Sequence, residues 1–139
     1  MLNKILSFFK PKSSRKHIKI LVIDDAEVDQ RVASTAVERG GYTVLKAGDG
    51  KSGLKLAREQ NPSLIILDYN LPDIIGPEVC KILKANDATK EIPVLYLTSM
   101  DAPGMVINCF EQGENYLAKP ISVKLLLKQI EIILKNIQK

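Results

Sequence analysis

The sequence predicts an α/β fold in which a five-stranded parallel sheet is covered by helices on both faces. Short apolar runs alternate along the chain with longer segments whose apolar residues recur at helical spacing, and this alternation is typical of parallel sheets. Three of the runs, residues 18–23, 63–67 and 92–97, are rich in Val, Ile and Leu. Strands that are buried on both faces have this composition, whereas strands with one wet face alternate.

The remaining predicted elements follow from turn signals and periodicity. Two weaker strand patterns, residues 42–47 and 115–118, complete the sheet, and helices are expected at residues 27–39, 50–60, 77–85, 103–112 and 123–137. Gly40-Gly41 ends the first helix, and Pro77 occupies a favourable first-turn position in the third. The last helix is the clearest, because apolar residues repeat along one face at helical spacing. That face comprises Val123, Leu126, Leu127, Ile130, Ile133, Leu134 and Ile137.

Length and composition describe one domain of ordinary globular character. The 139 residues suffice for one hydrophobic core but not for two, and 45% hydrophobic with 26% charged residues is usual for soluble proteins. No apolar run reaches the roughly 20 residues that a helix needs to cross a bilayer. Cys80 and Cys109 stand singly in apolar helical patterns, which favours free thiols in a reducing cytoplasm over a disulfide or a zinc site.

The positive charge of the chain is concentrated in its first 17 residues. The net charge is +4, yet five of the 20 basic residues and none of the 16 acidic residues precede residue 18. The rest of the chain is therefore close to neutral, which argues against nucleic acid as a partner. We divide the chain into a basic, amphipathic N-terminal extension, residues 1–17, and a domain, residues 18–139.

Polar side chains of unusual chemistry end four of the five predicted strands. Asp24 and Asp25 end the first strand, Asp68 the third, Thr98 the fourth and Lys119 the fifth. Ligands of open α/β sheets bind beyond the carboxyl ends of the strands, so these side chains are expected to meet at one edge. Each residue alone has an ordinary explanation, such as a helix cap, a turn or a solvated loop. Their joint placement favours a site.

The residue types in this cluster suit a phosphoryl group, a divalent cation and an accepting carboxylate. Three carboxylates in one crevice repel one another, and a hard cation such as Mg²⁺ relieves that repulsion. Lys119 and Thr98 offer a positive charge and a hydrogen-bond donor to an anion. Because an aspartate can be the nucleophile in phosphoryl transfer, Asp68 is a candidate phosphoacceptor.

Five motifs in order make residues 18–139 resemble the receiver domains of two-component response regulators, including chemotaxis-type regulators. These motifs are Ile-Asp-Asp at 23–25, the stretch 47–54 that leads into the second helix, Asp-x-Asn-Leu-Pro at 68–72, Thr98, and Tyr-x-x-Lys-Pro at 116–120. The resemblance implies a flavodoxin-like, three-layer (βα)5 fold with strand order 2-1-3-4-5.

The resemblance also implies which residues hold the metal ion. Asp68 would accept the phosphoryl group and bind Mg²⁺, together with Asp25 and the backbone carbonyl of Asn70. Asp24 would act on the metal ion through a bound water molecule.

Three further residues would respond to the phosphoryl group, and two neighbours depart from the family pattern. Thr98 would hydrogen-bond a phosphoryl oxygen, and Lys119 would pair with it. Tyr116 would be the aromatic switch residue, which turns inward as Thr98 moves. Ser99 stands where alanine is common, which is a mild change. Met100 stands where some rapidly dephosphorylating members have an acid that orients water, so slow hydrolysis is expected.

Three functions can be compared on these residues. In a signalling switch, a histidine kinase or phosphotransfer protein donates the phosphoryl group to Asp68, and the altered surface contacts an output protein that the sequence does not name. A phosphatase of the haloacid-dehalogenase type needs Asp-x-Asp on its first strand and residues for a cap domain, and the sequence offers neither. A pseudo-receiver usually lacks an acid or the lysine, and all are present here.

We therefore expect a cytoplasmic phosphoacceptor domain that is not an enzyme acting on other substrates. No output domain is expected within the 139 residues, so output would pass through a protein contact or a phosphorelay.

The tripeptide Gly50-Lys51-Ser52 resembles the end of a P-loop. The first glycine of that motif would fall on Leu45, so a nucleotide-binding loop is not expected here.

The N-terminal extension combines an apolar helical face with basic flanks. Leu2, Ile5, Leu6 and Phe9 share one face, and Pro11 is expected to end any helix there. Such a segment can lie on an anionic membrane or fill a groove on a partner. Disorder, packing on its own domain, and packing on a second copy in a homodimer are the alternatives. We favour self-packing or disorder over membrane contact, because one short apolar face anchors only weakly.

Overall fold

The computed structural model describes residues 15–99 and 115–137, in which five strands alternate with four helices. The strands are β1 (Lys19–Ile23), β2 (Thr43–Ala47), β3 (Leu64–Asp68), β4 (Val94–Ser99) and β5 (Asn115–Lys119). The helices are α1 (Glu27–Arg39), α2 (Gly50–Gln60), α3 (Gly76–Ala85) and α4 (Val123–Ile137). Residues 1–14, the helix expected at 103–112, Met100 and Cys109 lie outside the described residues.

The strands form one parallel sheet in the order β2-β1-β3-β4-β5. Ile23 at the end of β1 pairs with Ala47 of β2 and with Leu67 of β3. On the other side of β3, Ser99 of β4 pairs with Lys119 of β5. The fold class that the sequence predicted and the strand order that the family resemblance implied are confirmed, and all five carboxyl ends lie at one edge.

Alternate residues of the central strands face two separate cores, one on each side of the sheet. Leu21 and Ile23 of β1 belong to the core beneath α2 and α3, whereas Ile20 and Val22 belong to the core beneath α1 and α4. None of the four is more than 1% exposed. Because both faces are buried, both sets of alternating positions must be apolar, which explains the continuous apolar runs.

Strands β3, β4 and β5 continue beyond the carboxyl ends that the sequence predicted for them. Asp68 is the last residue of β3 and not the residue after it, and Thr98 lies within β4. Asp68 pairs with Leu97, and Thr98 pairs with Ala118. The parallel ladder continues because backbone pairing does not require an apolar side chain. The side chains of Asp68 and Thr98 therefore project from regular strand backbone.

Helix α4 buries most of its predicted apolar face. Leu126, Ile130, Ile133 and Leu134 are buried, and Val123 and Leu127 are partly buried. Ile137, in the last turn, is 52% exposed. Among the described residues, no helix has the length and apolar content to cross a bilayer.

The last residues of the predicted extension pack against the domain. The guanidinium of Arg15 lies 5.3 Å from the ring centre of Tyr42, and its Nη1 donates to the carbonyl of Gly40 at 3.2 Å. The same nitrogen pairs with Glu131 of α4 at 3.3 Å. The hydroxyl of Thr43 donates to the carbonyl of Lys16 at 2.6 Å. The chain thus enters β1 along the surface formed by α1, β2 and α4.

Candidate functional site

The strand register brings the predicted site residues to one place. Because Ile23 pairs with Leu67, Asp24 follows β1 directly beside Asp68 at the end of β3. Lys119 ends β5 two strands away, and its side chain reaches both aspartates. Thr98 lies on β4, the strand between β3 and β5.

Three carboxylates form the acidic part of this site. One oxygen each from Asp24, Asp25 and Asp68 lies within 4.8 Å of the others. Asp24 and Asp68 are 1% and 7% exposed, whereas Asp25 is open to solvent. The Oδ1 atom of Asp24 accepts a hydrogen bond from the amide of Ala26 at 2.9 Å. Its Oδ2 atom is buried and lies 3.2 Å from the ammonium of Lys119.

Lys119 is the cation of the cluster. Its ammonium contacts three carboxylates: Asp29 Oδ2 at 2.9 Å, Asp24 Oδ2 at 3.2 Å and Asp68 Oδ1 at 3.4 Å. The side chain of Lys119 is 17% exposed, so these contacts lie largely out of solvent. A single ammonium balances only part of the negative charge around it.

The pKa values of Asp68 and Lys119 reflect this excess of negative charge. Burial, followed by the negative charge of Asp24, raises the pKa of Asp68 to about 6, although Lys119 and the amide of Asn70 act to lower it. Burial acts to lower the pKa of Lys119, but the hydrogen bond with Asp29 and the charges of Asp68 and Asp24 raise it above its usual range. Additional positive charge at the cluster would therefore be stabilising.

The donor set fits a hard divalent cation. Mg²⁺ prefers oxygen ligands and is commonly held by one or two carboxylates together with water and phosphate oxygens. The three neighbouring carboxylates supply such oxygens, and the one ammonium beside them leaves their negative charge partly unbalanced. Asn70 follows Asp68 by two residues, and its backbone amide nitrogen lies 3.4 Å from Asp68 Oδ1. The role of the Asn70 carbonyl as a ligand stays a prediction.

Two predicted site residues lie on the strands beside the acidic cluster. Thr98 is fully buried, and its hydroxyl is 3.2 Å from the carbonyl of Ser99. Tyr116 of β5 is half-buried, pairs with Tyr96 of β4, and packs against the core beneath α2 and α3. Their placement is compatible with the predicted hydrogen-bonding and switch roles, which stay predictions.

The loop between β3 and α3 is held in place by Asp73, a residue that sequence reasoning missed. Its two carboxylate oxygens accept hydrogen bonds from the amides of Gly50 at 2.8 Å and Lys51 at 2.9 Å. These amides begin α2, where a carboxylate is favoured. The bond from Gly50 is the main reason why the pKa of Asp73 is lowered. At the far end of the loop, a Cβ atom on Gly76 would lie 2.9 Å from the carbonyl of Asp68.

These contacts also explain why the sequence resembling a P-loop is no phosphate site. A P-loop needs backbone amides that are available to phosphate oxygens. Here the amides of Gly50 and Lys51 are bonded to Asp73, and the amide of Ser52 is bonded to Asp49 at 2.7 Å.

Asp29 is the second functional candidate that the sequence did not reveal. It lies in the first turn of α1, where an acid is ordinary, so its identity alone carried no signal. Its contact with Lys119 joins residues 90 positions apart in the chain. Only the fold, which brings the first turn of α1 within reach of the Lys119 side chain at the end of β5, could have indicated it.

Comparison with known proteins identifies relatives of this chain. The sequence matches the response regulator receiver domain family over residues 20–131. It is 37% identical over 119 residues to the DNA-binding dual master transcriptional regulator RpaA of Synechocystis, covering 85% of this chain and 49% of that protein. It is 34% identical over 113 residues to the polar-differentiation response regulator DivK of Brucella anthropi, covering 81% of this chain and 92% of that protein.

Solved structures agree with the sequence matches. A crystal structure of a response regulator from Chloroflexus aurantiacus superposes with a TM-score of 0.80 at 30% identity, covering 85% of this chain and 98% of that one. The chain thus spans about half of the Synechocystis regulator but nearly all of DivK. The family match covers most of the chain, including the strand ends that carry the acidic cluster and Lys119. This chain belongs to the response regulator receiver domain family.

Proposed function

We propose that the domain is a phosphorylation-dependent signalling switch that accepts a phosphoryl group on Asp68. The observation that carries this proposal is the cluster of three carboxylate oxygens within 4.8 Å of one another, with the Lys119 ammonium 3.4 Å from Asp68. A phosphoryl group on Asp68 could pair with the Lys119 ammonium, and a divalent metal ion could be bound by the three carboxylates. A histidine kinase or a phosphotransfer protein is the proposed donor.

The reaction transfers one phosphoryl group between a nitrogen and an oxygen. A carboxylate oxygen of Asp68 attacks phosphorus, the new O–P bond forms, and the N–P bond of the donor's phosphohistidine breaks. The electron pair of that bond leaves with the imidazole, which takes up a proton. Charge is spread over the phosphoryl oxygens during transfer, so positioning and electrostatic stabilisation provide most of the catalysis.

The residues of this chain divide the remaining tasks. Lys119 pairs with a phosphoryl oxygen, and the hydroxyl of Thr98 donates a hydrogen bond to another. Asp25, Asp68 and the carbonyl of Asn70 are the proposed direct ligands of Mg²⁺, and Asp24 would act through a water molecule bound to the metal ion. When bound, Mg²⁺ supplies positive charge that neutralises the acceptor and the phosphoryl oxygens.

The proposed output is a protein contact or a phosphorelay in the cytoplasm. Tyr116 is the proposed switch residue that links the occupied site to the surface around β5 and α4. The domain would catalyse its own phosphorylation and dephosphorylation and no reaction of another substrate. The division into an extension, residues 1–17, and a receiver domain, residues 18–139, is part of the same proposal.

Labelling with a small phosphodonor tests the assignment. Incubation with acetyl phosphate and Mg²⁺ should add the mass of one phosphoryl group in intact-protein mass spectrometry, and Asp68→Asn should abolish it. Asp87→Asn is the matched control, because Asp87 is an exposed acid that pairs with Lys90 at 3.1 Å. Equal labelling of Asp68→Asn and the wild type would refute the proposal.

A further inference from the structure

We propose that Asp29 is a positioning residue that holds Lys119 in the unphosphorylated protein and competes with the phosphoryl group for it. This inference rests on the proposed function, because it concerns the same site. The ammonium of Lys119 lies 2.9 Å from Asp29 Oδ2 but 3.4 Å from Asp68 Oδ1. In the resting protein, the lysine is therefore bonded most closely to a carboxylate outside the proposed metal ligands.

The contact between Lys119 and Asp29 has the geometry of a charge-assisted hydrogen bond. An ammonium has three donors, and its direction is set by the acceptors that it can reach. A phosphoryl group on Asp68 would add anionic oxygens to a side chain that the ammonium already contacts at 3.4 Å. Those oxygens would compete with Asp29 for the three donors of Lys119, so stronger pairing with them would weaken the contact with Asp29.

Solvent exposure identifies Asp29 as the partner that can release the ammonium. The side chain of Asp29 is 31% exposed, compared with 0% for Asp24 and 9% for Asp68. Water can solvate the Asp29 carboxylate when the ammonium leaves, whereas the buried carboxylates have little access to water. Loss of the Lys119 contact therefore costs less free energy at Asp29 than at Asp24.

The negative charge of Asp29 also opposes phosphorylation of Asp68. It is a further carboxylate beside Lys119, and it weakens the attraction of the site for an anionic phosphodonor. Replacing Asp29 by asparagine keeps its size and removes its charge. The variant should therefore accept a phosphoryl group faster than the wild type does.

A purely structural role predicts a different result. Asp29 lies in the first turn of α1, where a negative charge stabilises the helix. If this were its whole contribution, Asp29→Asn would lower the stability of the protein and would not accelerate labelling. Acceleration is thus the readout that separates the two roles.

The experiment measures the initial rate of labelling by acetyl phosphate and Mg²⁺ in four proteins: the wild type, Asp29→Asn, Asp29→Glu and Glu27→Gln. Labelling forms a bond between an Asp68 oxygen and phosphorus and breaks the bond from phosphorus to the acetyl oxygen, whose electron pair leaves with acetate. Glu27→Gln is the charge-matched control, because Glu27 lies in the same turn of α1 and pairs with Arg31.

We expect Asp29→Asn to be labelled roughly two- to fivefold faster, as estimated for a partly exposed ion pair. The Asp29→Glu variant, which keeps the charge, should remain close to the wild type, and Glu27→Gln should change less than Asp29→Asn. An unchanged or slower rate in Asp29→Asn, with normal labelling of the wild type on Asp68, would overturn this inference alone. No labelling of the wild type would overturn the proposed function, and the inference with it.

Discussion

Replacing Asp68 by asparagine should stabilise the metal-free protein at neutral pH. Burial, and then the charge of Asp24, raises the pKa of Asp68 to about 6, compared with an ordinary value of 3.8. The folded state therefore holds the proton of this carboxyl more tightly than the unfolded state does. Asparagine is neutral and has nearly the same shape, so it avoids the cost of a buried negative charge.

The sign and size of the effect follow from these two pKa values. The stability that Asp68 contributes by binding its proton is fully present below the unfolded value near 4 and is lost as the pH rises through about 6. The difference of about 2 pKa units corresponds to about 3 kcal/mol as an upper limit. Since Lys119 also loses a partner in the variant, we expect a net gain of about 1–2 kcal/mol above about pH 7.

Urea unfolding in EDTA, followed by circular dichroism, measures this effect. The free energies of unfolding of the wild type and Asp68→Asn are compared at about pH 7.5 and at about pH 5, and Asp87→Asn serves as the exposed-acid control. The advantage of Asp68→Asn should be larger at the higher pH, and Mg²⁺ should reduce it by stabilising the wild type. A variant that is no more stable than the wild type at either pH would refute the reasoning.

Three other predictions concern the loop, the phosphoryl lifetime and the extension. Asp73→Ala removes the acceptor of the Gly50 and Lys51 amides, so it should lower the midpoint of thermal unfolding and weaken Mg²⁺ binding measured by calorimetry, whereas Asp73→Asn should lose less. Met100→Glu introduces a group that can orient water, so its phosphoprotein should decay faster than the wild type; equal decay would remove Met100 as a determinant. Deleting residues 1–17 should leave sedimentation with anionic vesicles unchanged, and a change in elution volume on size exclusion would indicate a role in dimerisation.

Much of the fold could be predicted because its signals are local in the sequence. The helical spacing in α1 and α2 predicted both of their boundaries, and the apolar runs located all five strands. The carboxyl ends of β3 and β4 lie beyond the predicted ends, because the ladder continues through polar residues such as Asp68 and Thr98. Backbone hydrogen bonding decides those ends, and it leaves no mark on side-chain periodicity.

The sequence by itself determined the core and the residue types that lie at the candidate site. Continuous Val, Ile and Leu runs required a sheet buried on both faces, and carboxylates, a hydroxyl and an ammonium at strand ends required a shared edge. The tertiary structure decided which charges touch. The pairing of Lys119 with Asp29 spans 90 positions, and that of Asp73 with the start of α2 spans 22 and 23. Exposed acids resemble one another in a sequence, and only the packing of helix and loop against the sheet gives particular ones a partner.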